Sequence, residues 1–154
     1  MKIHSIATSY SELTYDELTP DDALLLREAE EATKGSGADY SRFRVGAAIL
    51  VEGGRIIKGS NQENASYPCG ICAERTALFY TQSEMPEARI LSLAIKSPDS
   101  EGPISPCGLC RQALAEAECR QGFPIRLLLG GKNAVYMFGS VAAILPLSFK
   151  MNDK

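Results

Sequence analysis

The sequence contains no tryptophan and a single histidine, His4. Histidine is the usual side chain for proton transfer and metal ligation near neutral pH, so chemistry in this chain must rest on other groups. A basic excess is missing too. Lys and Arg number 16 against 19 Asp and Glu, a net charge of -3, and no stretch gathers the cations. Nucleic-acid backbones are held by clustered Lys and Arg, so no nucleic-acid partner is expected. Long apolar runs are also absent. The longest apolar region, Ala134 to Leu145, is broken by Gly139 and Ser140 and falls well short of the roughly 20 residues of a membrane-spanning helix. The N-terminal stretch Met1 to Tyr10 has an early positive charge but no apolar core of signal-peptide length, which points to a cytoplasmic protein with no membrane partner. The 154 residues are 45% hydrophobic and 23% charged, without low-complexity tracts. That composition suits one globular domain spanning 1–154.

Against this background stand five cysteines. In a reducing compartment their spacing reads as metal binding or catalysis before disulfides. Four of them fall in two nearly identical pentapeptides, Pro68-Cys69-Gly70-Ile71-Cys72 and Pro106-Cys107-Gly108-Leu109-Cys110. Cys119 stands apart and reads as a small buried hydrophobe on a helix.

Residues 1 to 18 show no clean period and read as an extended N-terminal arm. Thr19-Pro20-Asp21-Asp22 offers an N-cap, a proline at the first helical position and early acids, opening a helix that runs to about Ala32. Lys34-Gly35-Ser36-Gly37 ends it, and a loop continues through Tyr40. Phe43 to Val51 reads as a strand, joined by the turn Glu52-Gly53-Gly54 to a second strand, Arg55 to Lys58, which should pair with it antiparallel. Cys72 to Gln82 lacks internal Gly or Pro and is rich in helix formers. Arg89 to Lys96 reads as a strand, Cys107 to Cys119 as a helix, and Ile125 to Leu129 and Ala134 to Phe138 as further strands, followed by a short helical segment before Pro146. The order β-β-α-β-α-β-β implies an α/β domain with a mixed sheet of five strands, parallel where helices cross over.

Two Cys-x-x-Cys pairs, each opening an expected helix, suit zinc. A helix N-terminus offers free N–H groups and a positive dipole end that favour the thiolate a metal needs. Four sulfur ligands would make a closed structural site; three would leave a position for water and make the metal catalytic. Spacing alone leaves both open. Glu74, two residues past Cys72, sits where a carboxylate can exchange protons with a metal-activated water, a use that a purely structural site does not have. Arg75 reads either as a residue that offsets the charge of the sulfurs or as a surface ion-pair former.

Cys72-Ala73-Glu74-Arg75 followed by Pro106-Cys107-Gly108-Leu109-Cys110 resembles the zinc signature of the cytidine deaminases, in their small homotetrameric form with three cysteine ligands. Phe43-Arg44-Val45-Gly46-Ala47-Ala48, Asn61 to Tyr67 and Leu145-Pro146-Leu147-Ser148-Phe149 match further motifs of that family in the right order, so the likeness covers roughly Asp21 to Phe149. The resemblance implies a three-layer α/β/α fold and one Zn²⁺ per chain on Cys72, Cys107 and Cys110, with Glu74 as proton shuttle and Arg75 hydrogen-bonding the sulfurs. It implies that Asn61 and Glu63 contact the ribose 3'-hydroxyl and that Phe43 packs on the base. Ala73 joins these as a substrate contact, and Ala65, Tyr67 and Phe149 complete the pocket from neighbouring subunits of a homotetramer. The implied reaction is hydrolytic deamination of free cytidine and 2'-deoxycytidine to uridine and 2'-deoxyuridine plus ammonia, a step of pyrimidine salvage. Where the family commonly has Tyr-Ala-Pro-Tyr-Ser, this chain reads Gly37-Ala38-Asp39-Tyr40-Ser41, without the stiff proline. Cys69 is given no ligand role. A deaminase of another aminated heterocycle, and a non-catalytic domain held by four cysteines on zinc, are the competing readings.

Overall fold

Period-two alternation along the central strands sorts the core into two faces of one sheet. In the computed structural model, which describes residues 1–151, Ala47, Ile49, Val51, Leu93, Ile95, Leu127 and Leu129 point to one face. Ala48, Ala94 and Leu128 point to the other. Nine elements build the frame: β1 (Ser11–Leu13), α1 (Pro20–Ala32), β2 (Gly46–Val51), β3 (Ile56–Ser60), α2 (Ala73–Glu84), β4 (Ile90–Lys96), α3 (Gly108–Gln121), β5 (Arg126–Gly130) and β6 (Val135–Phe138). Helix α1 packs Leu25, Leu26 and Ala29 on the second face, while α2 and α3 cover the first with Ala73, Ala77, Leu78, Leu114 and Ala117. The result is the expected three-layer α/β/α arrangement. Among the described residues no helix is long and apolar enough to cross a membrane.

The sheet has six strands in the order β1-β6-β5-β4-β2-β3, one more than the sequence suggests. β4 and β5 are parallel, the crossover being α3, and the other neighbours are antiparallel, including the β2–β3 hairpin with Ile49 opposite Ile57. The additional strand comes from the arm: Ser11–Leu13 pairs with β6 through Leu13 opposite Val135. Three residues on an edge leave no hydrophobic period to read. Tertiary contacts hold them instead, with the Tyr10 ring centroid 4.7 Å from that of Tyr136 and 5.1 Å from that of Phe138. The Tyr15 hydroxyl donates to the Gly131 carbonyl at 2.7 Å.

Local signals account for the start of α1 and the end of α3. The Thr19 side chain accepts from the Asp22 N–H at 3.2 Å and Pro20 opens α1, the expected cap. Helix α3 ends on Gly122, whose φ of 63° is a left-handed cap position that glycine occupies without a Cβ penalty. Two expectations need correction. The strand expected from Phe43 begins only at Gly46, because the Asn61 side chain occupies the backbone edge there: its Oδ1 accepts from Val45 N–H at 2.8 Å and its Nδ2 donates to the Phe43 carbonyl at 2.9 Å. Cys119 is exposed, because it lies on the outer side of α3, away from buried Cys110, Leu114 and Ala117.

Candidate active site

The two pentapeptides are not used alike. In the first, the helix begins after the second cysteine, so Cys72 is the N-cap residue of α2 and Cys69 lies in the preceding single turn Tyr67–Cys69. In the second, the helix begins after the first cysteine, so Cys107 is the N-cap of α3 and Cys110 lies within its first turn. This three-residue difference decides which sulfurs meet. Cys72, Cys107 and Cys110 have their sulfurs within 4.8 Å of one another, the only group of three or more such ligand side chains among the described residues. Cys69 is exposed and outside the group.

The Cys72 and Cys107 sulfurs are 3.8 Å apart and those of Cys107 and Cys110 3.6 Å apart. A zinc ion holding thiolates tetrahedrally at about 2.3 Å separates them by about 3.8 Å. The spacing and chemistry of the three sulfurs therefore fit zinc. The group also favours deprotonation: the Cys72 thiol is lowered to about 5 by hydrogen bonding from Cys110, against burial, with Cys107 and Arg75 adding to the effect. The same interaction pushes the Cys110 thiol up, since Cys72 ionises first. For Arg75, burial works against its charge, but hydrogen bonding to the Cys110 and Cys72 sulfurs outweighs it and leaves the guanidinium more firmly protonated. Its Nε is buried with no protein partner.

Glu74 is 4% exposed, in the first turn of α2. Burial raises its carboxyl to about 6, and the neighbouring Cys72 thiolate adds to the rise. A carboxyl so placed is mostly ionised at neutrality yet far easier to protonate than an ordinary one, so it can both take and give a proton.

A cleft of about 500 Å³ reaches Cys72, lined by Ser41, Asn61, Glu63, Tyr67, Cys72 and Arg75 among others. Glu63 accepts from Tyr40 N–H at 2.9 Å and Ser41 N–H at 3.1 Å, and from the Ser41 hydroxyl. These bonds, the hydroxyl's foremost, hold the Glu63 carboxyl below its ordinary range. They also fasten the loop that lacks the family's proline. Asn61 uses one hydrogen-bonding position at each end of its amide on the Phe43–Val45 backbone, and the Phe43 side chain is exposed at 37%. Ala73 is wholly buried, whereas Ala65, Tyr67 and Phe149 are exposed, the last two at 85% and 71%. The chain thus brings Cys72, Glu74, Arg75, Cys107 and Cys110 together, sets Asn61 and Glu63 on the cleft wall, and leaves Ala65 and Phe149 turned outward.

Two features carry no readable signal in the sequence. Gln62 exchanges both backbone hydrogen bonds with Ile71 at 2.9 Å, fixing the peptide that enters Cys72. Arg111, next to Cys110, bonds three groups around the other pentapeptide. Backbone pairing leaves no residue-type signature, and an arginine on a helix looks like a surface residue.

Comparison with known proteins agrees with this geometry. Residues 19–123 match the family model described as the cytidine and deoxycytidylate deaminase zinc-binding region. A protein named cytidine deaminase from Halalkalibacterium halodurans is 40% identical over 133 residues, 86% of this chain and 97% of that protein. One of the same name from Sporosarcina psychrophila is 40% identical over 131 residues, 84% of this chain and 91% of that protein. The crystal structure of cytidine deaminase from Burkholderia pseudomallei superposes with a TM-score of 0.72 at 35% identity, covering 82% of this chain and 97% of that one. With its signature cysteines gathered and its length so fully shared, the chain belongs to the cytidine and deoxycytidylate deaminase family.

Proposed function

We propose that the protein hydrolyses the amino group of free cytidine and 2'-deoxycytidine, giving uridine and 2'-deoxyuridine plus ammonia, in cytoplasmic pyrimidine salvage. The observation that carries this reading is the buried Glu74 carboxyl beside three converging thiols, one of which, Cys72, lines a cleft of about 500 Å³. Cys72, Cys107 and Cys110 are the residues to hold one Zn²⁺ per chain. When bound, zinc lowers the pKa of water and so supplies a nucleophile at neutral pH.

Glu74 then does the proton work. It takes one proton from the attacking water and delivers it to ring N3 as the bond to C4 forms, then takes the proton of the new C4 hydroxyl and passes it to the amino group as the C4–N bond breaks, so that one water is consumed and one ammonia released. A carboxyl near 6 suits both directions of transfer. Arg75 offsets the negative charge that three thiolates place at the site, which keeps the centre able to activate water. Asn61 and Glu63 address the ribose 3'-hydroxyl, a group common to both sugars, and Phe43 packs on the base. The methyl of Ala73 is buried, so its contact with substrate runs through its backbone at the helix start, where N–H groups lack helical partners.

Ala65, Tyr67 and Phe149 complete the pocket across subunit boundaries in a homotetramer. Tyr67 and Phe149 are large apolar side chains left in solvent, where neighbouring subunits would cover them.

The test is turnover of cytidine and deoxycytidine, followed by ammonia release, together with zinc content. Glu74→Gln should retain zinc and lose turnover by about 10²–10⁴-fold, the usual worth of a general acid–base. Unimpaired turnover in that variant would overturn the assignment of Glu74.

A further inference from the structure

The pentapeptide around Cys107 has a difficulty that the one around Cys72 does not. Cys72 enters α2 from Ile71, whose N–H and carbonyl are both tied to Gln62. Cys107 enters α3 from Pro106, which has no N–H to tie. Neither helix start is capped by a side chain, since Cys72 and Cys107 alike make no cap bond, so α3 has neither a cap nor a tied residue before it. Yet the Cys107 sulfur must stand 3.8 Å from Cys72 on another helix.

Arg111 closes this gap. Its Nε donates to the Pro106 carbonyl at 2.8 Å, one terminal nitrogen donates to Ser105 Oγ at 2.9 Å, and the other donates to the Ile144 carbonyl at 2.9 Å. The proline ring fixes φ of Pro106, and a charge-assisted bond to its carbonyl fixes ψ. The peptide plane entering Cys107 then has no free torsion. The third bond anchors the same guanidinium on the short helical segment Val141–Ile144. A rigid planar fork makes these three contacts at once; lysine has one flexible ammonium in its place.

We propose that Arg111 is a positioning residue for the metal site: through the Pro106 carbonyl it presets the Cys107 sulfur against Cys72, so that little ordering is left to the ion. This rests on the reading of Cys72, Cys107 and Cys110 as zinc ligands. Partners that orient ligands typically contribute about 10–100-fold in metal affinity. Arg111→Met is expected to weaken binding by that range. Arg111→Lys should fall between it and the unaltered protein.

The experiment is titration of the metal-free full chain with Co²⁺ against a competing chelator, read by thiolate-to-cobalt absorption, with urea unfolding of the same samples. Gly122→Ala, at the far end of α3 with open space around it, serves as control: it should lose stability through its left-handed φ but bind Co²⁺ as the unaltered protein does. Weakened binding in Arg111→Met and Arg111→Lys, with unchanged binding in the control, is the expected result. Should both Arg111 variants unfold earlier yet keep their Co²⁺ affinity, Arg111 is a stability residue only and the proposal falls. If Arg111→Met does not fold, Arg111→Lys alone decides by the same criterion. Absence of the thiolate band in the unaltered protein would overturn the zinc reading itself, an outcome distinct from the other two.

Discussion

Gly59→Ala tests whether the seating of α2 on the sheet sets the site. The backbone of Gly59, in β3, carries no positive φ, so alanine is sterically free in φ/ψ and would by itself gain about 0.5–1 kcal/mol in a strand. Packing reverses the sign. A Cβ there would stand 2.5 Å from the Ala77 nitrogen and 2.6 Å from the Ala73 carbonyl oxygen, both backbone, where ordinary contact begins near 3.4 Å. The segment Ala73 to Ala77 of α2 must withdraw by the difference of 3.4 and 2.5, or 0.9 Å. Overpacking of this kind costs about 1–3 kcal/mol, and rigid helix backbone puts it toward the upper end. After the propensity gain, a net loss of about 2 kcal/mol is expected. Ala73 adjoins Cys72 and Glu74, and metal sites tolerate only about 0.2 Å in ligand placement, so zinc content and turnover should fall with stability. Urea unfolding at constant m-value, zinc stoichiometry and ammonia release read the three effects. A variant as stable as the unaltered protein, with full zinc, would refute the claim that the contact of α2 with β3 holds the metal ligands in place.

Two other perturbations follow from the same structure. Cys69→Ser should leave zinc stoichiometry and turnover unchanged, because Cys69 is exposed and outside the sulfur group; loss of zinc would favour a four-cysteine site. Asp99 should titrate near 2, held down by hydrogen bonds from the Arg44 side chain and backbone. A depressed carboxyl contributes stability that is present above its unfolded value of 3.8 and lost as pH falls toward 2. Carboxyl carbon NMR should show the Asp99 midpoint rising toward 3.8 in Arg44→Met, and an ordinary midpoint in the unaltered protein would count against the ion pair.

What the sequence determined by itself was whatever depends on near neighbours. The Thr19-Pro20 cap, the Glu52-Gly53-Gly54 turn between β2 and β3, the apolar runs of β2, β4 and β5 and the two Cys-x-x-Cys pentapeptides are local, and each is legible. The family likeness added the third layer and the choice of Cys72, Cys107 and Cys110 as the ligand triad, while Glu74 stood out from its place two residues past Cys72. Only the tertiary structure decided how the two pentapeptides differ: α2 starts after the second cysteine and α3 after the first, so three sulfurs converge and Cys69 does not. That choice depends on where each helix meets the sheet, which no spacing encodes. The same holds for the arm, since Ser11–Leu13 is a strand only because β6 offers an open edge and Tyr136 and Phe138 receive Tyr10. Cys119 looked interior because cysteines usually are, but the side of α3 facing the sheet was already filled by Cys110, Leu114 and Ala117. Arg111 likewise has no role until folding brings Ile144, distant in sequence, to its guanidinium.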